Sequence, residues 1–182
     1  MNKRQNSQFE NDFFPKKIIS KATAGTLFIM ICMLCSCDSK SADQQLSDRE
    51  ALLNAHESVL EAHRNNDVDI WNSLEAETLV VANRGDIHRA ARADREEGRR
   101  AYFAEATFSV YRDVQPPLVT VSADGSLGWL IAQVEIVGEY KKADGSSTPI
   151  NDVWAWIELY EKRSGRWVGV GNVSNVRPAR SN

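Results

Sequence analysis

The chain has 182 residues, of which 42% are hydrophobic and 26% are charged, and its formal net charge at pH 7 is −3. This composition is typical of a globular protein with its own hydrophobic core. The small acidic excess argues against nucleic acid as a partner, because binding a phosphate backbone requires clustered positive charge.

The amino-terminal segment has the pattern of an export signal. Three lysines within residues 16–21 precede an apolar run over residues 22–35, which is too short for a permanent membrane span. The run ends in the sequence LCSC, which resembles the bacterial lipobox, where a leucine and a small residue precede a cysteine. The resemblance implies cleavage after Ser36 and lipidation of Cys37. It also implies a membrane-anchored protein of the bacterial cell envelope, with its domain on the periplasmic or extracellular side.

The cysteines themselves allow a second interpretation. Cys32, Cys35 and Cys37 are the only cysteines in the chain and could in principle form a redox or metal cluster. Their neighbours, however, include no histidine or carboxylate at a spacing that would complete a metal site. The sequence therefore favours processing, and the first two cysteines would leave with the signal peptide. The resulting division of the chain is a signal peptide over 1–36, a lipidated cysteine and flexible tether over 37–46, one domain over 47–178 and a tail over 179–182.

Removal of residues 1–36 takes away five Lys or Arg and two Asp or Glu, which leaves 17 basic and 23 acidic residues and a net charge of −6. Five arginines lie between residues 89 and 100, interleaved with acidic residues at helical spacing. This pattern predicts a solvated helix face, not a nucleic-acid surface.

Three helices are predicted in the first half of the domain. Apolar residues recur at helical spacing after Ser47 and predict a first helix that ends at Asn65. A short second helix is predicted from Asp67. A third is predicted from about Arg92 to Ala106, after a turn in the sequence NRG.

The second half predicts strands. Asp124-Gly125, Asp144-Gly145 and Ser164-Gly165 separate β-rich runs and predict the turns of antiparallel hairpins. Helices followed by a separate sheet indicate an α+β fold.

The strand that starts at Asp152 has two different faces, because side chains alternate along a strand. One face is apolar and is predicted to be core; its members are Val153, Ala155, Ile157 and Leu159. The other mixes acids with large rings and is predicted to line either a pocket or a subunit contact; its members are Asp152, Trp154, Trp156, Glu158 and Tyr160.

The order of these elements over residues 48–176 resembles the nuclear transport factor 2-like (NTF2-like) superfamily, particularly its SnoaL-like and DUF4440-type domains. The resemblance is carried by VLEAHRNNDVDIWNSL, by NRG before the third helix and by SGRWVGVGNVSN as the last strand. It implies a cone in which three helices pack on a strongly curved, mostly antiparallel sheet around a cavity. It also implies a homodimer formed through the sheet face. The superfamily contains binding and assembly domains as well as ketosteroid isomerase, scytalone dehydratase and polyketide cyclases, so the fold does not select a function.

Three functional hypotheses follow. The first is an envelope domain that binds a small, partly apolar or aromatic ligand or a protein partner without established catalysis. The second is a SnoaL-like enzyme, a cyclase, isomerase or dehydratase that uses acid–base catalysis. The third is a structural dimerisation module whose Trp154 and Trp156 face forms the interface. Isomerase-type relatives imply a carboxylate before the turn at Gly85, where this chain has Val81 or Ala82. Neither side chain accepts a proton, which disfavours isomerase chemistry.

Candidate site residues were selected by residue type and by position in the pattern. The catalytic candidates are Asp152, His56, Glu135 and Tyr102, and the ligand-binding candidates are Trp129, Trp154, Trp156, Phe103 and Arg84. Four of them also have a structural interpretation: His56 as a hydrogen-bonded histidine at the core edge, Asp152 and Glu135 as residues at strand ends or on a wet dimer face, and Arg84 as a partner of Asp86 or of a helix end. No nucleotide-binding loop or zinc-ligand spacing occurs, so neither a cofactor nor a metal is expected.

Overall fold

Three helices and seven strands make up residues 37–178, the part of the chain that the computed structural model describes. The helices are α1 (Cys37–Asn65), α2 (Val68–Ser73) and α3 (Arg92–Glu105). The strands are β1 (Glu75–Asn83), β2 (Asp86–Ala91), β3 (Ala106–Asp113), β4 (Leu118–Val121), β5 (Leu127–Lys141), β6 (Ser147–Arg163) and β7 (Arg166–Pro178). Residues 1–36, which carry the predicted signal peptide, and the predicted tail at 179–182 lie outside the described residues.

The helices match their sequence predictions except at the start of α1. That helix begins at Cys37, ten residues before Ser47, so the segment predicted as a flexible tether is helical. The segment contains no glycine or proline to stop a helix, and it includes Lys40, Ala42, Gln44 and Gln45, which favour one. In α2 the predicted start is confirmed, because the Asp67 side chain accepts a hydrogen bond from the Ile70 amide at 2.9 Å.

The strands form one mixed sheet in the order β2-β1-β7-β6-β5-β3, with β4 paired to β5. All pairings are antiparallel except β1 with β7. The three predicted hairpin turns are confirmed; Gly125, Gly145 and Gly165 adopt positive φ angles there. Register shifts between Phe108 and Val110 and between Leu159 and Tyr160 mark irregularities of the kind that bends a sheet.

The core lies between α1 and the inner face of the sheet. Leu52 and Leu60 of α1 are almost fully buried and belong to one cluster with Leu130 and Val134 of β5. A buried polar contact fixes the same helix, because the Asp48 carboxylate accepts hydrogen bonds from Lys162 and from the Trp167 indole. These contacts hold α1 over β5, β6 and β7.

One sequence prediction about β6 is wrong. The apolar residues Val153, Ala155, Ile157 and Leu159 were predicted to be core, but they lie on the outer face, where Leu159 is 41% exposed. The face of Trp154 and Trp156 points inward instead. Alternation assigns residues to two faces, but only the position of the helices decides which face is inside. The inward orientation also contradicts the hypothesis that these two tryptophans form a subunit interface.

Candidate functional site

The curved sheet and the helices enclose a cavity of about 520 Å³. This volume lies within the range of small-molecule sites in proteins. Its wall is formed by all three helices and by strands β1, β2, β5, β6 and β7. Strand β3 contributes one residue, Tyr111. The side chains that determine its chemistry are His63, Trp71, Glu75, Arg84, His88, Arg95, Arg99, Tyr102, Tyr111, Tyr140, Asp152, Trp154, Trp156, Glu158 and Tyr160.

Five of the nine candidates chosen from the sequence line this cavity: Arg84, Tyr102, Asp152, Trp154 and Trp156. Arg84 occupies the β1–β2 turn with a φ of +53°. Tyr102 comes from α3, and burial together with the neighbouring Tyr140 raises its pKa well above 10, so its hydroxyl stays protonated.

The other four candidates do not line the cavity. Glu135 lies on the outer face, where its carboxylate accepts a hydrogen bond from Arg112 at 2.8 Å. Trp129 is 39% exposed and pairs with Leu159 on that face. Phe103 is buried against His63 and Trp71 without reaching the cavity. The expectation that Glu135 and Trp129 point into a cavity is therefore wrong. Side chains alternate between the two faces of β5, and both residues stand at positions that face outward.

His56 is the fourth of these residues, and it lies behind the cavity wall, close to the Trp156 ring. The His56 side chain is 2% exposed; its Nε2 is 3.0 Å from Asp113 Oδ1 and its Nδ1 is 3.7 Å from Glu158 Oε2. Burial favours the neutral imidazole, but Glu158 and Asp113 together outweigh that effect and raise the pKa of His56 above 6.5. His56 can therefore act on cavity contents only through Glu158.

Glu158 is a site residue that the sequence analysis did not select. Its side chain is 13% exposed and lines the cavity, and its Oε2 accepts a hydrogen bond from the Tyr160 hydroxyl at 2.8 Å. Asp113, His56, Glu158 and Tyr160 are therefore successive polar neighbours, although the 3.7 Å between His56 Nδ1 and Glu158 is too long for a hydrogen bond and Nδ1 has no hydrogen-bond partner among the described residues. The alternation of β6 already placed Glu158 on the same face as Asp152, so the sequence contained the signal.

His63 of α1 also reaches the cavity, and it is surrounded by aromatic rings. Its ring stacks on Tyr111 at a centroid distance of 4.3 Å and lies 4.2 Å from Trp71. Nδ1 is 2.7 Å from the Val59 carbonyl oxygen. Burial lowers the pKa of His63 to about 4, although the hydrogen bond to Val59 opposes that shift. His63 is therefore a neutral imidazole at physiological pH.

Arginines of α3 form the third polar feature of the wall. Arg95 and Arg99 are each 8% exposed, so the prediction of a fully solvated helix face is wrong for these two residues. Arg99 donates to both carboxylate oxygens of Glu75 at 2.7 Å, and Arg95 donates to the same carboxylate at 3.0 Å. The sequence showed charges at helical spacing but could not show that Glu75, about 20 residues away, would pair with them.

Within the described residues, no group of three or more His, Cys, Asp or Glu side chains is arranged to hold a metal ion. No helix in that part of the chain is long and apolar enough to cross a membrane.

Comparison with known proteins adds a result at the level of fold. No protein-family model matches the sequence, and no curated protein sequence matches it. Many solved structures do match. An NTF2-like protein from Cytophaga hutchinsonii has 14% identity and a TM-score of 0.58, covering 71% of this chain and 98% of its own. The chain has the NTF2-like fold.

Two other matching structures illustrate how varied the proteins similar to this chain are. A ketosteroid isomerase-like protein from Erwinia carotovora atroseptica has 16% identity and a TM-score of 0.58, with 72% of this chain and 98% of that chain covered. The association domain of CaMKII from C. elegans has 13% identity and a TM-score of 0.50, with 73% and 98% covered. Identities this low establish the NTF2-like fold and leave the function to the residues of the cavity.

Proposed function

We propose that this NTF2-like domain binds a small, partly apolar ligand in its cavity. The observation that carries the proposal is the open volume of about 520 Å³, which side chains leave unfilled although its wall is rich in aromatic rings. A folded protein normally packs such surfaces against each other, because buried apolar contacts stabilise it. Together with a few polar groups, the unfilled aromatic wall is typical of a ligand site.

Two neighbouring valines of β1 offer a matched test. Val81 lines the cavity, whereas Val80 does not line it and is 36% exposed. The neutral fluorescent probe N-phenyl-1-naphthylamine should bind the wild type saturably with one probe per chain. Val81→Trp should abolish this binding by filling the cavity, and Val80→Trp should leave it unchanged. Equal binding by both variants, or no saturable binding by the wild type, would contradict the proposal.

A second candidate function is cofactor-independent acid–base catalysis of the SnoaL-like kind. The observation in its favour is that Glu158 faces the cavity and contacts the buried His56–Asp113 pair, which can accept or supply charge behind it. Asp152 supplies a second cavity carboxylate. Turnover of a cyclic ketone or a polyketide-like substrate should then be lost in Glu158→Gln. It should be kept in Glu161→Gln, three residues along β6, because Glu161 does not line the cavity. Failure of the wild type to turn over any such substrate removes this candidate and leaves binding untouched.

We also propose that the chain is a lipoprotein of the bacterial cell envelope and that its domain is of the SnoaL-like or DUF4440 type. The lipobox-like sequence LCSC supports the lipid anchor, and the order of helices and strands supports the subtype. In a bacterial host, labelled palmitate should be incorporated into the wild type and into Cys32→Ala, but not into Cys37→Ala. Incorporation into all three chains would contradict lipidation at Cys37.

The outer sheet face supports a homodimer as a further proposal. Trp129, Ile131 and Leu159 are 38–41% exposed and adjoin one another across β5 and β6. Exposed apolar patches of this kind favour protein contacts. Sedimentation equilibrium should give a dimer mass for the wild type and a monomer mass for Ile131→Asp. Gln133→Asp, two residues along the same strand, serves as the control, and a monomeric wild type would refute the proposal.

A further inference from the structure

We infer that Nε2 of His63 is the cavity atom that accepts a hydrogen bond from the ligand, and that this ligand is a planar aromatic compound with an O–H or N–H donor. The inference rests on the proposed function, because it requires a ligand in the cavity. It adds the chemical class of that ligand and the side chain that selects it.

The hydrogen bond on the other ring nitrogen determines which tautomer His63 adopts. Nδ1 lies 2.7 Å from the Val59 carbonyl oxygen, and a carbonyl can only accept. Nδ1 therefore carries the proton, and Nε2 keeps its lone pair. Since burial keeps the pKa of His63 near 4, no second proton occupies Nε2 at neutral pH.

Nε2 has no hydrogen-bond partner among the described residues, although the His63 residue is only 4% exposed. Nε2 is not one of the fully buried unpartnered side-chain atoms of the described residues, so it keeps some open surface. Because His63 lines the cavity, a molecule bound there can reach this open surface. The Arg99 guanidinium, whose charge acts on His63, is directed to Glu75 and Asn72. A donor on the ligand is thus the partner that the site lacks.

The surrounding rings indicate the shape of the ligand. Trp71 and Tyr111 contact His63 at 4.2 and 4.3 Å, and the Tyr102 ring is 6.2 Å away. All three also line the cavity. Flat aromatic walls next to this acceptor favour a flat ring whose edge carries a donor, because such a ring stacks while it donates.

Two pairs of probes test the donor requirement. 4-Ethylphenol and 4-ethylanisole differ by methylation of an O–H group, and indole and 1-methylindole differ by methylation of an N–H group. Calorimetric titration of the full chain should show that the donor member of at least one pair binds about tenfold more tightly, which corresponds to roughly 1.4 kcal/mol. The two pairs also separate O–H from N–H ligands.

His63→Phe is the decisive variant, since it keeps a ring in the aromatic cluster and removes the acceptor. The donor preference should disappear in His63→Phe and persist in Trp129→Phe on the outer face. Equal binding within both pairs by the wild type, or a preference that survives His63→Phe, overturns the inference while showing that the cavity binds ligands. If no probe binds, the proposed function loses its support and the inference fails with it.

A measurement on the wild type avoids dependence on a variant. Long-range ¹H–¹⁵N NMR correlation spectra report the protonation of each histidine ring nitrogen. We expect His63 with a protonated Nδ1 and an unprotonated Nε2, and a shift of the Nε2 resonance when the donor probe is added. A proton on Nε2 in the free protein, or an Nε2 resonance that the donor probe leaves in place, overturns the inference.

Discussion

Replacement of Glu75 by glutamine should destabilise the protein strongly, because this carboxylate neutralises two buried guanidinium groups. The side chain of Glu75 is 13% exposed, and those of its partners Arg95 and Arg99 are 6% and 9% exposed. Removal of one member of a buried ion pair leaves an uncompensated charge and typically costs roughly 3–5 kcal/mol. Glu75→Gln keeps the shape of the side chain, so the loss isolates the charge.

Glu77 provides the matched control on the same strand. It pairs with Arg92 at 3.1 Å, but its side chain is 80% exposed, and exposed pairs contribute less than about 1 kcal/mol. Urea denaturation followed by tryptophan fluorescence measures both losses in free energy of unfolding. At high salt, the small effect of Glu77→Gln should vanish through screening while that of Glu75→Gln persists. Similar losses for the two variants would refute the assignment of a buried Glu75 cluster.

Three further changes have defined outcomes. His63→Phe should flatten the pH dependence of the free energy of unfolding. Because the folded-state pKa of His63, about 4, lies below 6.5, the wild type should lose roughly 3 kcal/mol of this free energy as the pH falls from 6.5 to 4. Parallel curves for the two proteins would contradict this. Asp113→Asn should cost more free energy of unfolding at pH 6 than at pH 9. Because folding raises the pKa of His56, its pairing with Asp113 stabilises the protein fully below pH 6.5 and is lost as the pH rises through the folded-state pKa. Equal losses at the two pH values would argue against this pair. Gly138→Ala should lower the melting temperature, at a cost of about 1–3 kcal/mol in free energy of unfolding, because the added Cβ would lie 2.1 Å from a backbone oxygen of β3. Gly98→Ala should raise the melting temperature, because Gly98 lies in helix α3 and the added Cβ would meet no atom within 4 Å beyond its neighbours in the helix.

Local patterns predicted local structure well. The three turns around Gly125, Gly145 and Gly165 were read directly from Asp-Gly and Ser-Gly pairs between β-rich runs. The end of α1 at Asn65 was predicted from the loss of the helical pattern, and the start of the second helix was predicted at Asp67, which is its N-cap. These features depend on backbone preferences within a few residues, so neighbours in sequence suffice to predict them.

The composition of the site was predicted less completely. Alternation along β6 grouped Asp152, Trp154 and Trp156 with Glu158, and all four line the cavity. Glu135 was expected in the cavity because it interrupts an apolar strand pattern, but it faces outward beside Arg112. A strand pattern fixes which residues share a face, but an acid on a largely apolar strand carries no information about which face the helices cover.

By itself, the sequence determined the α+β order of elements, the positions of the turns and the set of residues on each face of β6, since these depend on residues close together in the chain. The tertiary structure alone decided which face became the cavity wall. It also decided that Glu75 pairs with Arg95 and Arg99, and that Glu158 lies against the buried His56. Each of these features depends on contacts between segments that are distant in the sequence. The burial and the charge pairing that determine the free energy of these contacts exist only once the sheet has curved around α1.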